Sequence, residues 1–419
     1  MQIHEQAAKG FASAADAYER GRPEHGSESV ELIARELGLQ SGARVVDLGA
    51  GTGKLTRTLV AAGFDVLAIE PIEEMRAKLV ESLPRVEAIA GAAENLPLAN
   101  HSFDAVFAAQ AFHWFDSLRA VSELRRVLRP GGGVGLIWQA RDDSVPWVAK
   151  LNEIIDAADD GHPRFRSGAW RDGFSLTALF EPLQEAHLAS VQRLTPEAMV
   201  DRVASISYIA ALPEQERIPV LADVRRLLTT DPATAGREVI ELPHVVNVYW
   251  SKPTPVTSGP STGIVLSVNT SPGGIPKTPI AGTRIRRSGL EGDAHADLVH
   301  HGTLAQAVCL YPFEAIERIR SEGHQAFPGA YGENLTLAGI DWAGIRTGDR
   351  IRVGASDHGA LLQVTDFATP CEKQARWFAD GRYGRLSGRT HPEDARWYAS
   401  VLEEGPVAPG DPVRHIRTA

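Results

Sequence analysis

The sequence predicts a doubly wound α/β domain followed by a mostly-β, barrel-like domain with short helices. Strand-like and helix-like runs alternate through residues 1–250, whereas residues 263–419 hold short β-branched runs broken by Gly and Pro. Between them lies SKPTPVTSGPST, Ser251 to Thr262, which is rich in Pro, Ser, Thr and Gly and has no apolar period. Proline fixes φ and removes a donor, so such a stretch favours an extended linker. The expected division is therefore 1–250, 251–262 and 263–419, within the two or three domains that 419 residues allow. The formal charge of −10 is unevenly shared, −9 before residue 263 and −1 after it.

The first elements read in order. SESVELIARELG places Val30, Ile33, Ala34 and Leu37 on one helical face, with Ser27 or Ser29 as its N-cap. ARVVDLG is an apolar run that stops at glycine, as a buried parallel strand does. TGKLTRTLVAAG suits a crossover helix, FDVLAIE a second strand, and residues 73–83 a third helix. FDAVFAAQ, SLRAVSELRRVLRPGG and GVGLIWQ continue as strand, helix and strand. This alternation implies parallel strands joined by right-handed crossovers. LTPEAMVDRVASISYIAAL and PEQERIPVLADVRRLLTT read as helices with Pro-Glu starts, and VIELPHVVNVYW as a closing strand.

Composition excludes several classes of function. A net acidic chain lacks the basic surface that phosphate neutralisation needs, so nucleic acid is not an expected partner. No run of about 18 apolar residues occurs, which speaks against a transmembrane helix and a membrane partner. MQIHEQAAKGFASAADAYERGR has neither the basic nor the apolar region of a secretion signal, so a cytoplasmic location is expected. Two cysteines, Cys309 and Cys371, exclude a disulfide framework and a CxxC-type zinc site. The expected partner is a small molecule. Oligomeric state is not fixed by any of these features.

Chemistry first gathers at Asp47-Leu-Gly49-Ala-Gly51-Thr-Gly53, between the first strand and its crossover helix. Glycine lets the backbone turn sharply and approach a ligand that a Cβ would obstruct, and a helix N-terminus then faces that ligand. Glu70 ends the second strand 17 residues after Gly53, where a carboxylate can accept both hydroxyls of a ribose.

These residues resemble the class I S-adenosylmethionine-dependent methyltransferases, a Rossmann-like family, in its small-molecule branch. VVDLGAGTGKLT matches the family's first motif in Gly-x-Gly-x-Gly form; AIEP, GAAENLPLANHSFD, AAQAFHWFD and LRRVLRPGG follow in order, and FASAADAYERGRPEHG resembles its N-terminal helix. The resemblance implies S-adenosylmethionine as cofactor. Gly49, Gly51 and Gly53 would lie under its amino-acid part, Asp47 would organise the loop, and Glu70 would hold the ribose. Ala93 and Glu94 would flank the adenine, and Gln110 would face the methionine end. Many relatives carry Asp before the Ala-Glu pair; Ala92 stands here, which leaves adenine to backbone groups or Glu94. Methyl transfer is an in-line displacement governed by positioning. Where the acceptor must lose a proton a base is needed, and His113, beside Trp114, is the candidate; packing against its aromatic neighbours is the other reading. Tyr18 and Arg22 are candidates to close the pocket. Residues 141–250 would form a substrate-selecting cap carrying Trp147, Phe165, Trp170 and Tyr208, which ordinary helix packing also explains.

The second half has another character. GDRIRVGASDHGALLQVTDF reads as two strands joined by a Gly-bearing turn, and RWFADGR and HPEDARWYASVLEEG as short helices. GLEGDAHADLVHHG gathers Asp293, His295, Asp297, His300 and His301. Imidazole and carboxylate suit Zn, Fe or Ni, but no HExxH motif is present and no resident metal is assigned. Cys371, in TDFATPCEKQ, follows a strand and opens a helix, where the N-terminus favours thiolate. Cys309, in the apolar run AVCLYP, reads as an inert buried cysteine.

GGIPK, GLEGDAHAD, HHG, AVCLYP, YGENLT, GDRIRVG, the TDFATPC cysteine and WYASVLEEG resemble the MOSC domains, the C-terminal domains of molybdenum-cofactor sulfurases and their bacterial relatives. That family is associated with sulfur transfer through a cysteine or with molybdopterin binding. The resemblance makes Cys371 the sulfur-bearing or metal-ligating thiolate and lines its pocket with Lys277, Asp293, His295, His301, Glu333 and Asn334. His301-Gly302-Thr303 replaces the usual His-Gly-Gly. Together the two resemblances predict a bifunctional enzyme, in which the MOSC half makes a thiol on a small molecule and the methyltransferase half S-methylates it. The alternatives are an O- or N-methyltransferase joined to a molybdopterin-binding MOSC reductase of N-hydroxylated compounds, or to a MOSC binding module.

Overall fold

The computed structural model describes residues 26–159, 165–256, 262–294, 303–354 and 359–418. Tyr18, Arg22, His295, Asp297, His300 and His301 lie outside the described residues. The chain divides into two compact units. One takes its residues from 1–117, 127–170 and 183–252, the other from 118–126, 171–182 and 253–419.

In the first unit a glycine-terminated strand, β1 (Arg44–Leu48), is buried on both faces and sits in the middle of a seven-stranded sheet. Its companions are β2 (Asp65–Ile69), β3 (Glu87–Ile89), β4 (Phe103–Ala109), β5 (Leu128–Arg141), β6 (Gln184–Leu194) and β7 (Ile240–Ser251), in the order β3-β2-β1-β4-β5-β7-β6. All run parallel except β7, which is antiparallel to both neighbours. Strand order reverses between β1 and β4, so the carboxyl ends of these two strands open onto a crevice where ligands bind in such sheets. Helix α1 (Ser27–Leu37) presses Val30, Ile33 and Leu37 onto the sheet. The fit is close enough that a Cβ on Gly135 would stand 2.7 Å from Ile33. Neither Ser27 nor Ser29 caps α1: Gly26 is the N-cap, and the Ser29 hydroxyl donates back to its carbonyl at 2.9 Å.

Helices α2 (Lys54–Ala61) and α3 (Glu73–Ser82) complete the first crossovers, and α4 (Ser117–Val127) leads from β4 to β5. A helix the sequence did not announce, α5 (Pro146–Asp156), and a four-residue turn, α6 (Asp172–Ser175), precede the two expected helices. The first of these breaks into α7 (Pro196–Ala204) and α8 (Ser207–Ala211), and the second forms as α9 (Glu214–Thr230). Trp147, Leu151, Met199, Val203 and Val224 share one buried cluster, so Trp147 is a packing residue, with Tyr208 against the same cluster. Thr195 caps α7 by accepting the Ala198 N–H at 3.2 Å, and Pro196 takes the first helical position, where its missing donor costs nothing. β7 runs through Ser251 and the next strand starts at Thr262, so the two strands reach the ends of the Pro/Ser-rich stretch.

The second unit is a closed barrel of seven strands. β8 (Thr262–Thr270) pairs with β13 (Leu335–Ala338), and the ring continues through β12 (Val308–Pro312), β16 (Trp397–Glu403), β15 (Ala360–Phe367), β14 (Arg350–Val353) and β18 (Pro412–Ile416) back to β8. β9 (Thr278–Ile280) extends β8, while β10 (Thr283–Arg286), β11 (Gly289–Leu290) and β17 (Gly405–Val407) form a small sheet. Val265, Leu310, Leu335, Ile351, Leu362 and Ala399 fill the interior. WYASVLE is a strand, not the expected helix: β12 and β15 each offer it a ladder, and only Pro392–Asp394 before it makes a helical turn. Helix α10 (Phe313–Ser321) contributes the buried Arg320, whose guanidinium meets Glu123 at 2.9 Å. Glu123 is also held by Arg126 at 2.7 Å, and Arg125 donates to the Thr254 carbonyl at 3.0 Å.

Candidate active sites

The first site is built at the carboxyl end of β1. Gly49, Gly51 and Gly53 all take positive φ, at 71°, 58° and 89°. A Cβ on Gly49 would lie 2.7 Å from the Ala111 side chain, whereas one on Gly51 would meet nothing within 4 Å. The loop therefore packs on one side and leaves open space on the other, as a cradle for a ligand must. Asp47 is 1% exposed. Its Oδ2 accepts the Thr56 hydroxyl at 2.6 Å, while Oδ1 is buried without a hydrogen-bond partner among the described residues. Burial pushes this carboxyl up to about 7, the Thr56 hydrogen bond opposing and the nearby Glu70 charge adding to the rise. An orphaned buried acceptor of this kind calls for a donor, and an ammonium group would both satisfy it and restore its charge.

Glu70 closes the other side. Its Oε2 accepts the Gly51 N–H at 2.9 Å and its Oε1 the Ile72 N–H at 2.8 Å, so the carboxylate is aimed by backbone alone. Burial raises its pKa, and the two backbone donors and Arg76 counter that. Each oxygen retains a second lone pair, which suits a vicinal diol. Ala93 is buried next to the Ala92–Asn95 bridge, and Glu94 Oε1 accepts the Asp116 N–H at 3.0 Å. Glu94 thus ties its loop to the segment after β4 and is not merely solvated. Gln110 ends β4 at φ 55°, a left-handed conformation uncommon outside glycine, and is held by N–H donation to Ile137 O and by Nε2 donation to Gln139 O, both at 2.9 Å. Strain of this kind persists where surrounding structure enforces it, commonly at functional sites.

His113, the candidate base, sits in the short helical turn Phe112–Trp114 just after β4. The Trp138 indole N–H, which can only donate, reaches His113 Nδ1 at 3.0 Å. A neutral ring so held carries its proton on Nε2, and its one lone pair is already engaged. In that hydrogen bond Nδ1 is the acceptor, so this nitrogen is not open to a substrate proton. Trp138 in turn stacks with Phe165 at 4.9 Å and packs tilted against Trp170 at 4.3 Å, with Tyr249 edge-on at 5.8 Å. The Trp in GLIWQ was the available signal for this support, but sequence spacing cannot bring residues 138, 165, 170 and 249 together.

The second site is a cavity of ≈ 330 Å³ in the barrel unit. Of the expected residues, Lys277, Asn334 and Cys371 line it. Asp293 and Glu333 do not: both are buried behind the wall. Asp293 makes an ion pair with Lys277, accepts Asn334 Nδ2 at 2.8 Å and accepts the Ser271 N–H at 2.9 Å. Glu333 accepts the Gly329 N–H at 2.6 Å and the Thr336 hydroxyl at 3.0 Å, and burial raises its pKa. These carboxylates hold the wall and leave the lining to others. Gly329 is required there, since at φ 88° its missing Cβ would run into the Lys277 carbonyl.

Cys371 is exposed and opens a short 3-10 helix of two turns, Glu372–Trp377. Its N–H donates to Gln374 Oε1 at 3.0 Å, and Gln374 Nε2 donates to the Tyr331 carbonyl at 2.7 Å. Arg396 binds that same carbonyl at 2.7 Å and the Thr369 carbonyl at 3.2 Å, so the cysteine segment is clamped from both sides. Sequence reasoning missed Gln374, Arg396 and Tyr398 on this cavity, and it missed Cys309, which also lines it. Burial raises the Cys309 thiol to about 11 despite the neighbouring Arg396 and Lys277.

Comparison with known proteins places both halves. A family model described as a methyltransferase domain matches residues 46–135, and one described as a MOSC domain matches residues 297–414. An uncharacterized methyltransferase of Mycobacterium tuberculosis (strain H37Rv) is 45% identical over 235 residues, covering 56% of this chain and 92% of that protein. A malonyl-[acyl-carrier protein] O-methyltransferase of Methylococcus capsulatus is 42% identical over 123 residues, 26% of this chain and 45% of that protein. Among solved structures, a phosphoethanolamine N-methyltransferase of Haemonchus contortus in complex with S-adenosyl-L-methionine is similar at 15% identity and a TM-score of 0.35, over 59% of this chain and 57% of that one. A relative of 45% identity matched over nearly its whole length settles the kinship of the first half: the chain belongs to the class I methyltransferase family and carries a MOSC domain behind its methyltransferase domain.

Proposed function

We propose that the protein is a bifunctional, cytoplasmic small-molecule enzyme whose MOSC domain makes a thiol through Cys371 and whose methyltransferase domain S-methylates that thiol. The observation that carries this reading is the hydrogen bond from Trp138 to His113 Nδ1. It withdraws the imidazole from base duty, so the favoured acceptor is one that is already ionised near neutrality, and a thiol of low pKa is such a group. S-Adenosylmethionine, the cofactor expected of a class I methyltransferase, supplies an electrophilic methyl group when bound. The orphaned Asp47 Oδ1 suits its ammonium, Glu70 its ribose hydroxyls, and the open side of Gly51 its close approach. His113, its Nδ1 engaged by Trp138, would stand beside the acceptor sulfur, and the Gln110 backbone fixes the end of β4.

In the MOSC domain, Cys371 would carry a sulfane sulfur as a persulfide. The terminal sulfur bonds to an activated carbon of the substrate, whose leaving group departs with its electron pair, and the product is a mixed disulfide on Cys371. Clamping by Gln374 and Arg396 supports a positioned nucleophile. Lys277, Lys373 and Arg396 on the cavity wall also suit an anionic group, which favours molybdopterin, with Cys371 as thiolate ligand, as the second reading. Incubating the protein with S-adenosylmethionine and panels of thiols, alcohols and amines tests the first domain. Methyl transfer to sulfur supports the reading, and transfer confined to oxygen or nitrogen overturns it. Intact mass separates the MOSC readings: a gain of sulfur on Cys371 supports transfer, and molybdenum near one atom per chain supports the alternative.

A further inference from the structure

The chain contains two cysteines, and both line one cavity. They arrive from opposite directions in the sequence. Cys309 lies in the middle of β12, where its N–H donates to Asn334 Oδ1 at 3.0 Å and its carbonyl accepts the Asn334 N–H at 2.8 Å. Its thiol is therefore fixed on the inner wall. Cys371 lies at the exposed end, three residues beyond Ala368, which itself packs with Cys309 and Tyr398 in one small cluster. Tyr398 stands directly opposite Cys309 in the β12–β16 register, and its phenol lies in the field of both thiols.

We propose that Cys309 is the resolving thiol of the MOSC site, the group that frees the product thiol from Cys371. The inference rests on the persulfide reading above. After the terminal sulfur has bonded to substrate carbon, the intermediate is a disulfide between the substrate sulfur and Cys371 Sγ. Cys309 sulfur attacks Cys371 Sγ; the bond between substrate sulfur and Cys371 breaks, and its electron pair leaves with the substrate sulfur. The proton of the Cys309 thiol ends on that product, giving a free thiol and a Cys309–Cys371 disulfide. A small-molecule dithiol then reduces this disulfide and resets both cysteines. The asymmetry of the pair suits the two tasks. Burial holds the Cys309 thiol up at about 11, which keeps it from competing with Cys371 for the sulfur donor, and the adjacent Arg396 and Lys277 oppose that rise. The exposed partner meets the sulfur donor.

The test uses the full-length protein treated with inorganic polysulfide, followed by intact mass and peptide mapping without reductant. Cys371 gains sulfur; on exposure to a thiol-specific oxidant, the wild type loses two hydrogens and yields a Cys309–Cys371 cross-linked peptide. Cys309→Ala still gains sulfur on Cys371, gives no such peptide, and releases sulfide at least an order of magnitude more slowly when external thiol is limiting. The wild-type peptide map needs no variant, so a Cys309→Ala protein that fails to fold does not spoil the test. Sulfur loading without the cross-linked peptide, or with unchanged release in Cys309→Ala, overturns the resolving role and leaves the persulfide reading standing. Absence of loading on Cys371 overturns the persulfide reading, whatever the oxidant does to the pair.

Discussion

Asp47 shows how one side chain joins stability to ligand binding. Its carboxyl is raised to about 7 by burial, above the ordinary 3.8 of the unfolded chain. The folded state therefore holds a proton that the unfolded state has released, and stability falls as pH rises from about 4 through about 7. Asp47→Asn removes that slope: thermal melts of the ligand-free variant should be flatter between pH 5 and 8 than those of the wild type, the difference reaching a few kcal/mol. The same variant should bind S-adenosylmethionine more weakly, with a loss that grows with pH, because only ionised Asp47 pairs with the ammonium. A melt slope identical in the two proteins would contradict the assignment. At His113 the expectation is a small effect. His113→Ala should slow transfer to an acidic thiol by no more than about tenfold, since a positioning hydrogen bond is lost and no base is removed. The loss of several orders of magnitude would restore the imidazole as a base.

At the scale of elements, much was legible because period and punctuation agree. ARVVDLG ends in glycine and became β1; Glu70 stands at the end of β2, where a ribose carboxylate belongs. Errors arose where partners are remote. WYASVLEEG has no helix-breaking residue before its final glycine, yet β12 and β15 draw Trp397–Glu403 into the barrel, because a closed ring needs a strand there. The motif resemblance points Asp293 and Glu333 at the pocket, whereas their placement behind Lys277 and Gly329 is a tertiary fact. The Trp138–His113 bond is of the same kind. The second unit also contains a buried ionic cluster that no local pattern announces, Glu123 between Arg126 and Arg320. Glu123→Gln leaves two guanidinium groups without their carboxylate, and desolvation already disfavours the charge of Arg320. Chemical denaturation should register a loss of about 3–5 kcal/mol in the transition of that unit. A loss under 1 kcal/mol would show that the cluster is not buried in solution.

For the whole molecule, the acidic charge and the two cysteines acquire distinct meanings. The acidity belongs to the half that holds the glycine-rich loop, and both cysteines belong to the half that holds the barrel cavity. No helix among the described residues is long and apolar enough to cross a membrane. If the two proposed activities share one chain, tethering would raise the concentration of the thiol available for methylation, which matters most for a reactive thiol that would otherwise oxidise. Cys371→Ala should then leave methylation of an added thiol intact while abolishing methylation that depends on polysulfide as the sulfur source; equal loss of both would refute separate sites. The direct test of the central claim is a competition in which the wild-type protein meets S-adenosylmethionine with a thiol and its oxygen analogue at equal concentration, products being resolved by mass. The account predicts that the methyl group appears on sulfur, with a rate that follows the thiolate fraction. Methylation of the oxygen analogue at the same or a greater rate would contradict it.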